Sequence, residues 1–124
     1  MASSSSVPPS ASPGANKFHF LVVVQDNPDS REVRMKTRPE HFKQVPEKVG
    51  SGEWKVGGAL LKDVPKDPED VSTWDFWGST LVCVAGSRQE VLDKLRADAY
   101  ATSGTWDMNS VQIYPFKPAF KMQD

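Results

Sequence analysis

Apolar residues along the chain gather in four strand-like runs separated by polar loops and two segments of helical spacing. The first run is KFHFLVVV, residues 17–24, with Phe18, Phe20, Val22 and Val24 on one side and Leu21 and Val23 on the other. A polar loop, QDNPDSREVRMK, follows. Residues 37–50, TRPEHFKQVPEKVG, read as the first helix. Thr37 and Glu40 have capping-box spacing, Pro39 fits a first turn, and Phe42, Val45 and Val49 form an apolar stripe. Pro46 predicts a kink, and Gly50 and Gly52 an end. The second run is WKVGGALL, residues 54–61. Its Gly57-Gly58 pair predicts a bulge, or close approach by a ligand or another backbone. The loop over residues 62–77 is proline-rich and acidic, then aromatic at Trp74, Phe76 and Trp77, which favours partial order as a lid or by packing. The third run is STLVCVA, residues 79–85. Ser87 and Glu90 open a second helix, RQEVLDKLRADAY, with Val91, Leu92, Leu95 and Ala99 as its buried stripe and Gly104 beyond its end. The fourth run is SVQIYPF, residues 110–116.

This β-α-β-β-α-β order predicts an α+β fold, a ferredoxin-like protomer with both helices on one face of an antiparallel sheet. The first and third strands are apolar on both faces, and two helices cover only one. The other face needs a cover. A homodimer in which two sheets face each other supplies it, with a pocket between the sheets or beside the helices.

Composition narrows the function. The 124 residues carry 15 Lys and Arg against 16 Asp and Glu, interspersed, so nothing favours nucleic acid or an anionic membrane. Residues 1–16 are mostly Ser, Pro and Ala, with Met1 and Val7 their only apolar side chains larger than alanine, which reads as a disordered tail. They lack the apolar stretch of a secretory signal and the arginines of a mitochondrial presequence. No run approaches the roughly 20 apolar residues of a membrane helix. The folded domain is expected over residues 17–118, with 119–124 a C-terminal tail. The single cysteine, Cys83, fits a reducing, cytoplasmic setting, and its apolar run predicts a buried, inert thiol.

No metal-ligand spacing, P-loop, dinucleotide glycine fingerprint or nucleophile elbow is present, so neither a metal nor a cofactor is expected. The basic aromatic strand motif of RNA-recognition modules is missing too. His19 alternates with phenylalanines and reads as a packed residue. His41 is the leading acid–base candidate. In the predicted helix it lies in the first turn, where the positive end favours a neutral imidazole suited to a general base. Asp98 is expected in the last turn of the second helix, where the dipole disfavours an anion, so it is either solvated or held by a specific donor. Side-by-side helices permit a His41–Asp98 pair that would set the imidazole tautomer. Arg34 and Arg38 could clamp a carboxylate or phenolate, or form a solvated basic pair. Asp26, Ser79, Tyr100 and Trp106 are further pocket candidates.

Asp26 at a strand end, R-x-x-x-R-P-x-H from Arg34 to His41, Gly57-Gly58, Gly78-Ser79, then Asp98 to Tyr100 and Gly104 together resemble the YCII-related domain family. The likeness spans about Phe18 to Phe116. It implies a dimeric α/β barrel of two ferredoxin-like protomers, with His41 and Asp98 on the family's histidine and aspartate. Characterised relatives include a dehydrochlorinase of a hydroxylated ring, and related barrels include muconolactone isomerases and cofactor-free oxygenases. The resemblance thus implies a cofactor-independent lyase or isomerase acting on a small aromatic or cyclic metabolite, in biosynthesis or catabolism. A non-catalytic small-molecule-binding barrel and a cofactor-free oxygenase are the alternatives. Two departures stand out: Ala99 replaces a proline that typically follows the aspartate, and the 62–77 loop is longer than usual.

Overall fold

The computed structural model describes residues 17–121, so the expected tail over 1–16 and the end of the C-terminal tail lie outside the described residues. The chain forms β1 (Phe18–Gln25), α1 (Arg31–Lys43), α2 (Val45–Gly50), β2 (Trp54–Leu61), β3 (Phe76–Ala85), α3 (Arg88–Arg96), α4 (Ala99–Thr102) and β4 (Gln112–Pro115). The sheet order is β2-β3-β1-β4, antiparallel throughout, which is the ferredoxin-like arrangement expected of an α+β chain with this element order.

Register sorts the side chains by face. Phe20 pairs with Cys83, Val22 with Leu81 and Val24 with Ser79, so these share one face. Phe20, Val22, Val24 and Cys83 are buried there with Val91 and Leu95 of α3, Tyr100 and Trp106. Burial pushes the Cys83 thiol up to about 11, with the Glu53 charge adding to the effect, so the thiolate is disfavoured. The opposite face carries Leu21, Val23, Val82 and Val84, all half-buried, and the exposed Val56 and Tyr114.

The helices depart from expectation in ways that matter for the site. α1 begins at Arg31, six residues before Thr37, so Thr37 and Glu40 form no cap and Pro39 sits inside the helix. The early start escaped the apolar pattern because the only buried residue of α1 is Arg34, a cation. At Pro46 the chain does not kink; the helix stops, and α2 starts afresh with this proline in its first turn. The Phe42–Val49 stripe is not core: Phe42 is 49% and Val49 55% exposed. The predicted 88–100 helix is split, α3 ending at Arg96 and α4 starting at Ala99. The Ser87 cap holds, its Oγ accepting from the Glu90 amide at 3.1 Å.

The glycine pair forms no bulge, although a Cβ at Gly57 would lie 3.1 Å from Leu81 Cδ1. Register shifts fall between Trp54 and Val56 and between Leu60 and Leu61, leaving Gly57-Gly58 regular. The close backbone approach is at Gly78 instead, where a Cβ would collide with the Val24 carbonyl oxygen and lie 2.9 Å from the Gln25 Cα. β3 starts at Phe76, so the loop expected over 62–77 ends at Asp75; within it Asp70 caps a short 3-10 turn, Val71–Thr73, by accepting from the Ser72 amide. Arg31 donates to the carbonyls of Val71 and Trp74, tying this segment to α1.

Candidate active site

Arg34, Arg38 and His41 follow one another along α1 at intervals of four and three, which puts them on one helix face. That face looks onto the sheet across a cavity of about 570 Å³, within the range of small-molecule sites. Its walls are largely aromatic and aliphatic, including Trp54, Trp74, Phe76, Tyr100 and Trp106, with the exposed Phe42 and Val49 at the α1–α2 side. Gly57 and Gly58 line it too, and a Cβ at Gly58 would meet nothing within 4 Å.

His41 and Asp98 meet. The His41 Nδ1 lies 2.9 Å from Asp98 Oδ1. A carboxylate can only accept, so Nδ1 carries the proton and Nε2 keeps its lone pair. Nε2 has no hydrogen-bond partner among the described residues. The imidazole stacks on Tyr100 at 4.2 Å and on Trp54 at 5.7 Å between ring centroids, which fixes its plane. Asp98 is buried and fully engaged. Its Oδ1 also accepts from the Tyr100 amide at 2.9 Å, and its Oδ2 from Gln44 Nε2 at 2.7 Å.

Both helix-end expectations are reversed. Because α1 starts early, His41 lies in its last turn, where exposed carbonyls accommodate positive charge. Because the second helix is split, Asp98 is not at a helix C-terminus but at the N-cap of α4, a preferred position for a carboxylate. The neutral-favouring helix start proposed for His41 does not exist.

The two arginines have different surroundings. Arg34 is 3% exposed, and its Nη1 donates to both oxygens of Asp26, at 2.7 and 2.9 Å. Its Nη2 donates to Ser79 Oγ at 2.9 Å, which also accepts from Trp106 Nε1 at 3.1 Å. The guanidinium lies 4.6 Å from the Phe76 ring and 4.8 Å from the Tyr100 ring. Asp26, Ser79, Tyr100 and Trp106 are thus gathered around one buried cation. Burial raises the Asp26 carboxyl above its ordinary value, with Arg34 pulling it back in part. Burial also raises the Tyr100 phenol, so that side chain keeps its O–H. Arg38 lines the cavity half-buried, against the Phe42 ring at 4.6 Å, with no hydrogen bond or ion pair among the described residues.

Gln44 was not anticipated as a site residue, whereas Trp74 and Phe76 line the cavity from the segment expected as a lid or packed loop. Gln44 lies three residues past His41, so the spacing that finds one finds the other once Asp98 is placed. Among the described residues no group of three His, Cys, Asp or Glu side chains gathers to hold a metal. No helix there is long and apolar enough to cross a membrane.

Comparison with known proteins supplies context for this geometry. The chain is 33% identical over 91 residues to the Derivative of benzaldehyde biosynthesis cluster protein C of Emericella nidulans, covering 73% of this chain and 90% of that protein. It is 26% identical over 98 residues to the Fusaric acid biosynthesis protein 2 of Gibberella fujikuroi, covering 79% and 91%. A 26% match to aspartate kinase FUB3 of Fusarium oxysporum covers 81% of this chain but spans only 18% of that protein. Among solved structures, the 5-chloro-2-hydroxyhydroquinone dehydrochlorinase (TftG) from Burkholderia phenoliruptrix, in complex with 2,5-dihydroxybenzoquinone, shares the fold. Its TM-score is 0.67 at 24% identity, covering 80% of this chain and 93% of that one. The profile of the YCII-related domain matches residues 18–117, nearly the whole described chain, and the protein belongs to that family.

Proposed function

We propose that the protein is a cofactor-independent lyase or isomerase acting on a small aromatic or cyclic metabolite. The observation that carries this reading is the His41–Asp98 contact, which leaves Nε2 as the free nitrogen of an imidazole lining an aromatic cavity. Nε2 takes a proton from a substrate carbon or hydroxyl, and Asp98 steadies the imidazolium that results. In an elimination, the C–H electron pair forms the new double bond while chloride departs with its own pair, or a hydroxyl departs as water by taking the proton back from the imidazolium. In an isomerisation, the imidazolium returns the proton at another atom. Trp54 and Trp74, half-buried in the cavity wall, offer surface against which a planar ring can stack. The dehydrochlorinase named above and the biosynthesis-cluster relatives support a small-molecule role.

Positioned proton transfer contributes about 10²–10⁴-fold. His41→Gln and Asp98→Asn are each expected to lose activity in that range, measured on hydroxylated and chlorinated ring substrates under nitrogen. Wild-type turnover in both variants removes the assignment. Oxygen uptake coupled to turnover would favour an oxygenase, and ligand recovered unchanged with raised thermal stability would favour a binding protein.

The apolar outer face of the sheet, with Val82, Val84 and the exposed Val56 and Tyr114, supports a homodimer in which a second copy covers it. Light scattering at micromolar concentration is expected to give twice the chain mass. A monomer there refutes it.

A further inference from the structure

The apolar stripe Phe42, Val45 and Val49 is not absorbed by the core, and Phe42 and Val49 stand exposed. Apolar side chains grouped in the open beside a cleft mark a ligand groove or a contact surface. All three line the cavity that holds His41. They form its wall at the α1–α2 end, where α2 packs on β2. The β2 side of that end is built from small residues. Gly57 pairs with Leu81 and Ala59 with Ser79, and these partners stand opposite Val22 and Val24 on the helix-covered face of the sheet. Gly57, Ala59 and Leu81 all line the cavity. A Cβ at Gly57 would start 3.1 Å from Leu81 Cδ1, so a larger side chain there has to take cavity space, its own or that of Leu81.

The polar groups of the cavity lie elsewhere. Arg34, Ser79, Thr80 and Asp98 are engaged in hydrogen bonds within the protein, and Arg38 and His41 precede the stripe on α1. Lys55 also lines the cavity, but its Nζ reaches back to the turn at Gly52, 3.6 Å from where a Cβ there would stand. Size points the same way. A cavity of about 150 Å³ holds a bare benzene ring. The space here is about 570 Å³, so a ring placed against His41 leaves most of it empty unless the ligand continues along the stripe.

We propose that the ligand is a ring compound bearing an aliphatic chain, with the ring beside His41 and the chain in a channel between the Phe42–Val49 stripe and Gly57. Stacking surface is concentrated at the His41 end, in Trp54 and Trp74, whereas valines and a backbone without a side chain suit a flexible chain. The channel rests on the cavity being the ligand site, but not on proton transfer by His41. It also gives the exposed stripe and the cavity-facing glycine one common purpose.

Calorimetric binding of phenol and of the 4-alkylphenols from methyl to pentyl to the full chain tests the channel. Each added methylene is expected to tighten binding about three- to fourfold, the factor for one buried CH₂. Val49→Asp and Gly57→Val should each flatten this dependence while leaving phenol itself nearly unchanged. Val64→Asp, at an exposed position outside the cavity, should leave the dependence intact. His41→Gln should also keep it even as turnover is abolished, which separates failure of the channel from failure of the catalytic reading. Affinity that does not change with chain length overturns the channel. So does a dependence that survives in folded Val49→Asp and Gly57→Val proteins, or one lost with His41. A dimer that dissociates in folded Val49→Asp overturns it too, since the stripe then belongs to a second copy. Absence of binding by any member of the series below about 10 mM overturns it as well.

Discussion

Replacing Arg34 by Met tests whether the buried cation organises the site. Arg34 is 3% exposed, donates twice to Asp26 and once to Ser79, and lies against the rings of Phe76 and Tyr100. Met keeps much of the apolar stem and can pack on the same rings, so the loss isolates the charge and its hydrogen bonds. Removing one partner of a buried pair costs about 3–5 kcal/mol. Ser79 still has Trp106 as a donor, so Asp26 carries most of this loss. The cost must depend on pH. Burial already raises the Asp26 carboxyl, and Arg34 is the group that pulls it down. Without Arg34 the folded-state pKa rises further above that of the unfolded chain. A folded protein that binds its proton more tightly than the unfolded one loses stability as pH rises through the interval between the two values. The gap between wild type and Arg34→Met is therefore smallest in acid, where Asp26 is protonated and neutral, and widest at neutral pH. Urea unfolding at pH 7.5 is expected to show a midpoint lowered by about 1–5 M, from a slope of about 1–3 kcal/mol/M. The same titration at pH 4.5 should show a smaller shift. A gap under about 1 kcal/mol at pH 7.5, or one that does not widen with pH, would refute the buried-pair reasoning.

Two further substitutions test the fold around the site. Gly78→Ala forces a Cβ into the Val24 carbonyl and the Gln25 backbone, neither of which can yield as a side chain end does, and should cost about 3 kcal/mol. Gly58→Ala meets nothing and should melt within a few degrees of wild type, so comparable thermal shifts for the two would contradict the strand register. Glu53 accepts from Lys48 at 3.0 Å and lies 3.2 Å from Lys94. Against the burial that raises it, these ammonium groups hold its carboxyl below the ordinary glutamate range. The stability it contributes is full above that range and is lost as pH falls through the folded-state value. Glu53→Gln should then cost about 0.5–1 kcal/mol at pH 7 and little at pH 3, read from denaturation midpoints.

The strands were legible because alternation reports a half-buried sheet, and their order was enough for the topology. The helices were less so, and the reason is chemical. A helix whose inward face carries Arg34, Arg38 and His41 has no apolar stripe to announce its start, so the one apolar stripe available, Phe42 to Val49, was taken for core. The break at Asp98 was hidden for a different reason. Ala97 and Ala99 flank it, and alanine marks no boundary; the break exists because the Asp98 side chain accepts from the Tyr100 amide. Asp26, Ser79, Tyr100 and Trp106 could each be named from the sequence, but not what unites them: Asp26, Ser79 and Tyr100 meet at Arg34, and Trp106 joins them through Ser79. Gln44 left no mark of its own.

The pairing of His41 with Asp98 stands on different physics from that expected of it. The sequence pattern put the imidazole at a helix start, where a neutral ring is favoured, and the carboxylate at a helix end, where it needs rescue. In the structure α1 ends at the imidazole and α4 begins at the carboxylate, so each helix terminus favours the charge its residue carries once a proton has moved to the ring. Two neutral N–H donors, from Gln44 and Tyr100, fix both carboxylate oxygens without neutralising them. The stacked Tyr100 and Trp54 rings present faces that attract a cation. Under the proposed reaction these terms act in the same direction. They steady the ring beside the carboxylate, and they are in position before the substrate arrives. With both oxygens held by donors from separate elements, Asp98 is fixed as an acceptor for the Nδ1–H, and Nε2 is left as the nitrogen that the proposed reaction would use.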